Sequence, residues 1–551
     1  MSSTNIKALL DNLSPAIEAI TDPAARFVIE QLLKIIEMQA EIIDELRAEN
    51  QTLRNEVSRL KGEKGKPAFR KQTSADQDVS SEKERRGKPK KKKSKKKKDK
   101  INVDREQLCT IAPDALPDDA VFKGHSTVVI QDIQITTDNI AFKKEVYYSP
   151  SLKKTFMAAL PPGYEGEFGP HLKAVVLALH NSGKMTESAI LTFLRHHGIV
   201  ISSATISRMI TEKHDSFHQE KADIVQAGLA SSTHQQMDDT GARVKGKNHY
   251  THILCNALYT AFFTRRHKNR LTVLEILVQG PLSFRFDGSA YDLMVKLKLP
   301  NKTLKRLKAL VRQTTMSRAE VEQLLEALFS GPQHYKTYRQ IILEGSAIAA
   351  YQRSPEAIEL LLTDDAPQYK KITELLALCW IHDARHYKKL KPVVPRYRRA
   401  HKAFLTRYWD YYRLLLAYKE KPNAARAESL IADFDSLFST TTGYERLDER
   451  IARTRQKKET LLLVLEHPNL PLHNNASELG ARAQARYRDI SFHTMSDKGT
   501  QAHDTFMTLV ETAKKLSVNT YQYFYDRITQ RYEMPALASL IMANAEIAAP
   551  G

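Results

Sequence analysis

Cysteine is scarce in this chain: 551 residues hold three, Cys109, Cys255 and Cys379, far apart in sequence. That excludes a disulfide scaffold and suits a reducing compartment. Long apolar runs are missing as well, since none reaches the roughly 18 residues needed to span a bilayer. The opening MSSTNIKALLDNLSPAIEAI lacks the basic start and unbroken apolar stretch of a signal peptide. A soluble, intracellular protein is expected, with no membrane partner. Acidic residues are outnumbered, 64 against 84 Lys and Arg, for a formal charge of +20. Such a balance points to a polyanionic partner, nucleic acid before a membrane surface.

Part of the excess is local. Residues 82–100 carry 13 Lys or Arg against 3 Asp or Glu. Residues 63–105 combine Gly, Pro, Ser and Lys with few large apolar side chains, the composition of a disordered linker. Its block GKPKKKKSKKKKDK, with Lys91, Lys92 and Lys96, is suited to neutralising DNA phosphates without reading bases. A merely solvated tether is compatible with the same residues.

Ahead of the linker, residues 1–62 read as an N-terminal helix and a coiled coil. Ile29, Ile36, Ile43, Asn50 and Val57 recur every seven residues, and Leu32, Gln39, Leu46, Leu53 and Leu60 follow three behind. β-Branched residues at a, mostly Leu at d and one Asn at a favour a parallel homodimer. Glu49 and Glu56 at g face Arg54 and Lys61 at e of the other strand. An amphipathic helix packed on its own protein is the alternative.

Behind the linker, residues 106–165 alternate apolar and polar in STVVIQDIQI, IAFKKEVYYS and KKTFMAAL, which predicts a small antiparallel β unit. Residues 166–230 turn to helical periodicity. Helices are expected near 171–181 and 185–196, then a turn at Gly198 and a helix from Ala204 capped by Ser202 or Ser203. The arrangement resembles a helix-turn-helix, in which Ser203, Thr205, Ser207 and Arg208 face a DNA groove. A helix pair in an ordinary α-helical core has the same signature.

Residues 231–530 read as a mixed α/β domain. HQQMDDTGARV, HYTHILCNALYTAFFT and LTVLEILV are the expected strands, with ELLLTDD as a short buried one. Helical insertions are expected over about 290–355 and 385–465, and a tail over 531–551. Three acidic positions stand out: Asp238 beside Asp239, Asp364 beside Asp365, and Glu478 in the first turn of a helix capped by Asn474 or Asn475. Two strand-borne aspartates and a helix-borne glutamate suit a pair of Mg²⁺ ions for phosphoryl transfer. Arg482 and Arg486 follow Glu478 at i+4 and i+8, on the face where they hold DNA phosphates. Turn residues and a glutamate complementing a helix dipole account for the same acids without a metal. Cys379 and His382 offer half of a metal site, but no second pair accompanies them, and a buried helix is the simpler reading. Trp380 is read as core.

The block MDDTGARV resembles the first catalytic block of DDE transposases of the insertion-sequence sixty-six family. LLTDDAPQY followed by LCWIHDARHYKKL resembles that family's second-Asp block, LHNNASELGAR its glutamate block, and ETAKKLSVNTYQYF its C-terminal segment. The resemblance implies an RNase H-like core with helical insertions, preceded by the coiled coil, the β unit and the helix-turn-helix-like region. It implies a transposase that cleaves transposon ends and joins them to target DNA, with Asp238, Asp364 and Glu478 as catalytic and metal-binding residues. Two Mg²⁺ ions, replaceable by Mn²⁺, double-stranded DNA and small accessory proteins come with it, and a place beside the bacterial nucleoid in the cytoplasm. A non-enzymatic dimeric DNA-binding protein and a structure-specific nuclease on the same core are the alternatives.

Three features depart from the family's pattern. Asp238 and Asp364 are 126 residues apart, a long interval that leaves Asp287 in FRFDGSAY as a rival second aspartate. Residues 106–165 hold only Cys109, too few ligands for a tetrahedral zinc site, so the β unit is expected without zinc. His473 and Leu479 stand where the resemblance leads one to expect Asp and Arg.

Overall fold

The structure is a computed structural model that describes residues 3–60, 101–112, 115–117, 120–329 and 335–548. The chain divides into two compact units. One comprises Met1–Ser74, Leu160–Ile190 and Ser203–Gly551, the other Ala75–Ala159 and Leu191–Ser202. Lys91, Lys92 and Lys96 of the linker lie outside the described residues.

In the smaller unit the expected β unit reduces to one hairpin, β1 (Val146–Ser149) paired antiparallel with β2 (Lys154–Met157). STVVIQDIQI forms no strand, and Val128, Ile130 and Ile133 are exposed. Alternation makes a strand only where one face has something to cover, and this segment meets no core in its own unit. Cys109 is exposed and free.

The larger unit opens with α1 (Ser3–Glu18) and α2 (Pro23–Leu60). α2 is the long helix expected, but its buried side chains are Leu33, Glu37 and Ala40 rather than the heptad seam. The Glu37 carboxylate accepts the amides of Val393 (2.9 Å) and Val394 (3.0 Å) at the start of a later helix, and Arg396 bonds Glu30 at 3.0 Å. Leu32, Leu46 and Leu53 of the seam are more than half exposed. One face of the helix thus packs on its own chain, and these leucines of the heptad seam lie exposed.

Next come α3 (Pro170–Asn181), α4 (Glu187–His196), which from Leu191 on belongs to the smaller unit, α5 (Ser203–Thr211) and α6 (Asp215–Ala230). They lead into β3 (His234–Val244), β4 (Lys247–Cys255) and β5 (Thr260–Arg265). LTVLEILV, expected as a strand, is the helix α7 (Arg270–Val278). Its apolar run is buried all round, a pattern that strand and helix share in short segments. The decision lies in Asn269, whose side chain caps the Thr272 amide at 3.0 Å.

A helical insertion follows: β6 (Phe284–Arg285), α8 (Gly288–Lys296), α9 (Asn301–Leu310), β7 (Thr315–Met316), α10 (Arg318–Leu328) and α11 (Lys336–Gln352). It is no tethered appendage, because Met294, Leu307, Leu325 and Ile348 share one apolar core with Met237 and Leu254 of the sheet.

β8 (Leu360–Thr363) and β9 (Leu375–Leu378) complete a five-stranded sheet of order β5-β4-β3-β8-β9. β3, β4 and β5 run antiparallel to their neighbours, while β3, β8 and β9 are parallel. β9 is not among the strands expected from the sequence. A second helical layer comprises α12 (Trp380–Lys388), α13 (Pro395–Glu420), α14 (Ala424–Leu437), α15 (Glu445–Arg455) and α16 (Lys458–Leu462). Trp380 is its fully buried centre, packed on Tyr408 and Tyr411, with its indole N–H on the Leu461 carbonyl at 2.9 Å. α17 (Asn475–Ser491), α18 (Asp497–Lys515), α19 (Thr520–Ile528) and α20 (Leu537–Ala548) close the unit.

The sheet edge at β5 is closed by side chains. Thr512, Thr508 and Asp504 of α18 accept the amides of Thr260 (3.2 Å), Phe262 (3.1 Å) and Thr264 (2.6 Å). Four residues of helix rise about 6 Å and two residues of strand about 6.7 Å, so the two ladders stay nearly in step. An edge that would pair with another chain is thereby satisfied internally.

Among the described residues, no helix is long and apolar enough to cross a membrane.

Candidate active site

β3 and β8 are parallel neighbours, with His234 opposite Leu360 and Gln236 opposite Leu362. Continuing that offset by two residues sets Asp238 beside Asp364, on strands about 4.8 Å apart. The long interval between them holds β4, β5 and α7 and then the insertion α8–α11, after which the chain returns to β8 beside β3. The third acid arrives on α17, which packs on β3 and β4. Gly480 lets it come close: a Cβ there would stand 2.8 Å from Ile253 Cγ2. Asn474, expected as a capping side chain, instead donates from Nδ2 to the Met237 carbonyl at 2.8 Å, and no side-chain cap is made. That bond ties the helix start to the residue before Asp238. Arg488 fastens the other end through the Gly241 carbonyl.

The electrostatics reflect this crowding. Burial pushes the Asp238 carboxyl up to about 7, against the Asp239 amide that lowers it, and the charges of Asp364, Asp239 and Glu478 add to the rise. Asp364 is raised by burial, opposed by the Ala366 amide and the nearby His382. Glu478 lies between Arg385 and His382: Arg385 donates to its Oε2 at 2.6 Å, and His382 Nδ1 is 3.5 Å from its Oε1. Its Oε1 is buried without a hydrogen-bond partner.

The neighbouring acids are engaged differently. Asp239 accepts from Gln368 (2.6 Å) and Tyr369 (3.4 Å) and pairs with Lys268. Asp365 pairs with Lys457 (2.7 Å) and Lys370 (2.9 Å). Asp287, the rival second aspartate, caps α8 through the Ala290 amide and binds Arg285 (2.6 Å) and Arg353 (3.3 Å). Burial raises its carboxyl, but the bonds from Ser289, Arg285 and Ala290 and the Arg353 charge outweigh this and hold it well below the usual range. Its carboxylate serves as the N-cap of α8 and is occupied by these contacts.

Among the described residues, the potential ligand atoms that close to within 4.8 Å of one another are those of Cys379, His382 and Glu478. The carboxylates of Asp238, Asp364 and Glu478 do not form such a group, and Glu478 is engaged by Arg385 and His382 of α12. Cys379 Sγ already accepts the Asn474 amide at 3.2 Å, and the guanidinium of Arg385 occupies the same cluster, which disfavours a cation there. The oxygen set fits a hard divalent ion: two aspartates raised chiefly by burial, and one buried Glu478 oxygen without a hydrogen-bond partner. Asp238, Asp364 and Glu478 could hold such an ion.

Arg482 and Arg486 are exposed along α17 beyond Glu478. On α5, Ser203 and Arg208 are exposed and Thr205 is half-buried, with Arg208 donating to the Thr205 hydroxyl at 3.4 Å. The opposite face, Ile206 and Ile210, is buried. Sequence reasoning passed over Arg385, Asn474 as a strand anchor, and Gly480. The Asn-Asn pair and the glycine were visible as letters, but their contacts are long-range.

Residues 165–290 and 349–502 match the sequence model of the Transposase IS66 family. The chain belongs to this family. The match is interrupted between 290 and 349, where α8–α11 lie, so the insertion that lengthens the Asp–Asp interval is also what the family pattern omits. An uncharacterised protein of Sinorhizobium fredii, y4jO, is 31% identical over 325 residues, covering 58% of this chain and 100% of that protein. For an IS66 transposase the expected chemistry is phosphoryl transfer on DNA, and the three blocks quoted above all fall within the matched residues.

Proposed function

We propose that this IS66 transposase cleaves DNA at transposon ends and joins the freed ends to target DNA, with Asp238, Asp364 and Glu478 as its catalytic carboxylates on an RNase H-like core. The observation that carries the reading is the parallel register of β3 with β8, which continued by two residues sets Asp238 beside Asp364 just past the end of β8, with the Glu478 helix packed on β3.

In this reading the three carboxylates hold two Mg²⁺ ions, or Mn²⁺ in their place. Bound there, divalent ions lower the pKa of an attacking water and stabilise the leaving oxygen. The chain's own residues do the rest. Asn474 and Gly480 fix the height of α17 over the sheet. Arg482 and Arg486 grip backbone phosphates beside the carboxylates, and Lys91, Lys92 and Lys96 add sequence-independent attraction. Ser203, Thr205 and Arg208 on α5 face the end sequence. Hydrolysis of one phosphodiester leaves a 3′-hydroxyl, which then takes the place of water in attacking a target phosphodiester. One site serves both steps, because each exchanges one oxygen on phosphorus for another. The uncovered seam of α2 pairs two protomers so that two ends are handled together.

The test is a labelled duplex carrying the element's end, incubated with the full chain and Mg²⁺ or Mn²⁺. Cleavage is expected from the natural chain and none from Asp238→Ala, Asp364→Ala or Glu478→Ala, with folding and duplex binding kept. Strand transfer of pre-cut ends separates a transposase from a nuclease. Undiminished cleavage by Asp238→Ala overturns the assignment.

A further inference from the structure

A second feature of the catalytic unit has the chemistry of a nucleic-acid contact. A cavity of about 440 Å³ opens at the edge of β5, between α6 and α18. Lys221, Arg265, Arg266, His218 and His249 line it, with hydroxyl and amide groups from Thr264, Thr500, Thr505 and Gln501. Only two acids line it, and both are occupied: Asp497 by Lys245 at 3.0 Å, and Asp504 by the Thr264 amide and hydroxyl at 2.6 and 2.8 Å. The cations are less matched. Lys221 Nζ donates to the Phe262 carbonyl at 2.7 Å, and Arg265 to its neighbour's carbonyl at 3.0 Å. Arg265 and Arg266 are exposed, as are His267 and Lys268 after them.

That basic loop joins the cavity to the carboxylates. Lys268 pairs with Asp239, the residue after Asp238, at 3.4 Å. In the sheet, Thr264 at the cavity lies opposite Thr251, and Thr251 opposite Thr240, two residues beyond Asp238. Two strand spacings and two residues put the cavity's rim roughly 12 Å from the Asp238 backbone. A polyanion seated at the carboxylates is long enough to reach both.

We infer that the Lys221–Arg265–Arg266 cavity and the loop to Lys268 form a backbone-phosphate track for DNA, extending the substrate's path from the catalytic carboxylates across the β5 edge. The inference rests on the proposed function, and it assigns the track to phosphodiester contacts, whose oxygens accept from ammonium, guanidinium and hydroxyl donors alike. Burial pulls Lys221 down to about 8, with the charge of Asp504 opposing the fall, and a bound phosphate adds counter-charge beside it.

The test uses the full chain, a fluorescent duplex of arbitrary sequence and EDTA, so that no cleavage intervenes. Anisotropy is read over a range of NaCl for the natural chain and for the double variant R265E/R266E. Both side chains are exposed, and an unchanged melting temperature confirms that the fold is kept. The variant is expected to bind at least tenfold more weakly, with the slope of log K against log salt smaller by about two. R265K/R266K is expected to retain most of the affinity and the full slope. Equal affinity and slope in the natural chain and the Glu variant overturn the track and leave the proposed function standing. A natural chain that binds no duplex at all overturns both.

Discussion

Arg385 donates to Oε2 of Glu478 at 2.6 Å and to Nε2 of His382 at 2.8 Å, so one guanidinium clasps both side chains. Because a guanidinium only donates, His382 Nε2 must accept, which puts the imidazole proton on Nδ1, facing Glu478 Oε1 at 3.5 Å. Glu478 is thus held toward α12. On the proposed function, a divalent ion at the three carboxylates competes with this contact. Arg385→Ala is expected to lower the Mn²⁺ concentration at half-saturation about fivefold, since a half-exposed charge nearby opposes a cation by on the order of 1 kcal/mol. Calorimetric titration of Mn²⁺ without DNA measures this directly. Weaker binding in the variant means that Arg385 orients Glu478 for the metal instead.

The two candidate second aspartates have separable fates. Asp364→Ala is expected to abolish Mg²⁺-dependent cleavage with little change in melting temperature, because its carboxylate accepts one local backbone bond, from the Ala366 amide at 3.1 Å. Asp287→Ala removes a helix cap and two arginine contacts, so a loss of about 1–3 kcal/mol is expected with cleavage retained in the folded fraction. Cleavage that survives in Asp364→Ala and disappears in Asp287→Ala reverses the roles.

The β5 edge predicts a sharp distinction between isosteres. Thr508→Val keeps the shape but leaves the buried Phe262 amide without its acceptor, at a cost of about 1–3 kcal/mol. Thr508→Ser restores the acceptor and most of the stability. Chemical denaturation of the three proteins compares them. A Val variant as stable as the natural chain shows that the ladder of Thr512, Thr508 and Asp504 does not support the edge.

Much of this site is legible in the sequence, and what is not has a common cause. Asp238, Asp364 and Glu478 sit in local patterns: a strand with two acids, an apolar run ending in two more, and an asparagine-led helix. Periodicity also fixed α2 and the helical insertion. The failures are positions where a long-range contact decides. LTVLEILV reads as a strand until Asn269 caps it as α7. STVVIQDIQI alternates correctly but has nothing to cover. The heptad of α2 says nothing of Glu37, whose carboxylate caps a helix more than 350 residues away. Arg385 is one basic residue among 84 Lys and Arg, and only its pairing with Glu478 separates it from the rest.

Glu220 gives the stability a pH dependence of predictable sign. It lies on α6, 3.5 Å from Arg527, and burial raises its carboxyl to about 7, although the charge and hydrogen bond of Arg527 pull it down. The folded chain therefore holds a proton that the unfolded chain, with an ordinary carboxyl near 4.5, releases. This contribution is fully present below pH 4.5 and is lost as pH rises toward 7; above 7 it is constant. The span is about 3 kcal/mol at most, at 1.36 kcal/mol per unit. Glu220→Gln cannot ionise, and Arg527 keeps Asp526 as its partner. The variant is expected to match the natural chain near pH 4.5 and to exceed it in melting temperature at pH 8. Parallel curves for the two proteins across that range mean that Glu220 is ionised at no cost in the folded state.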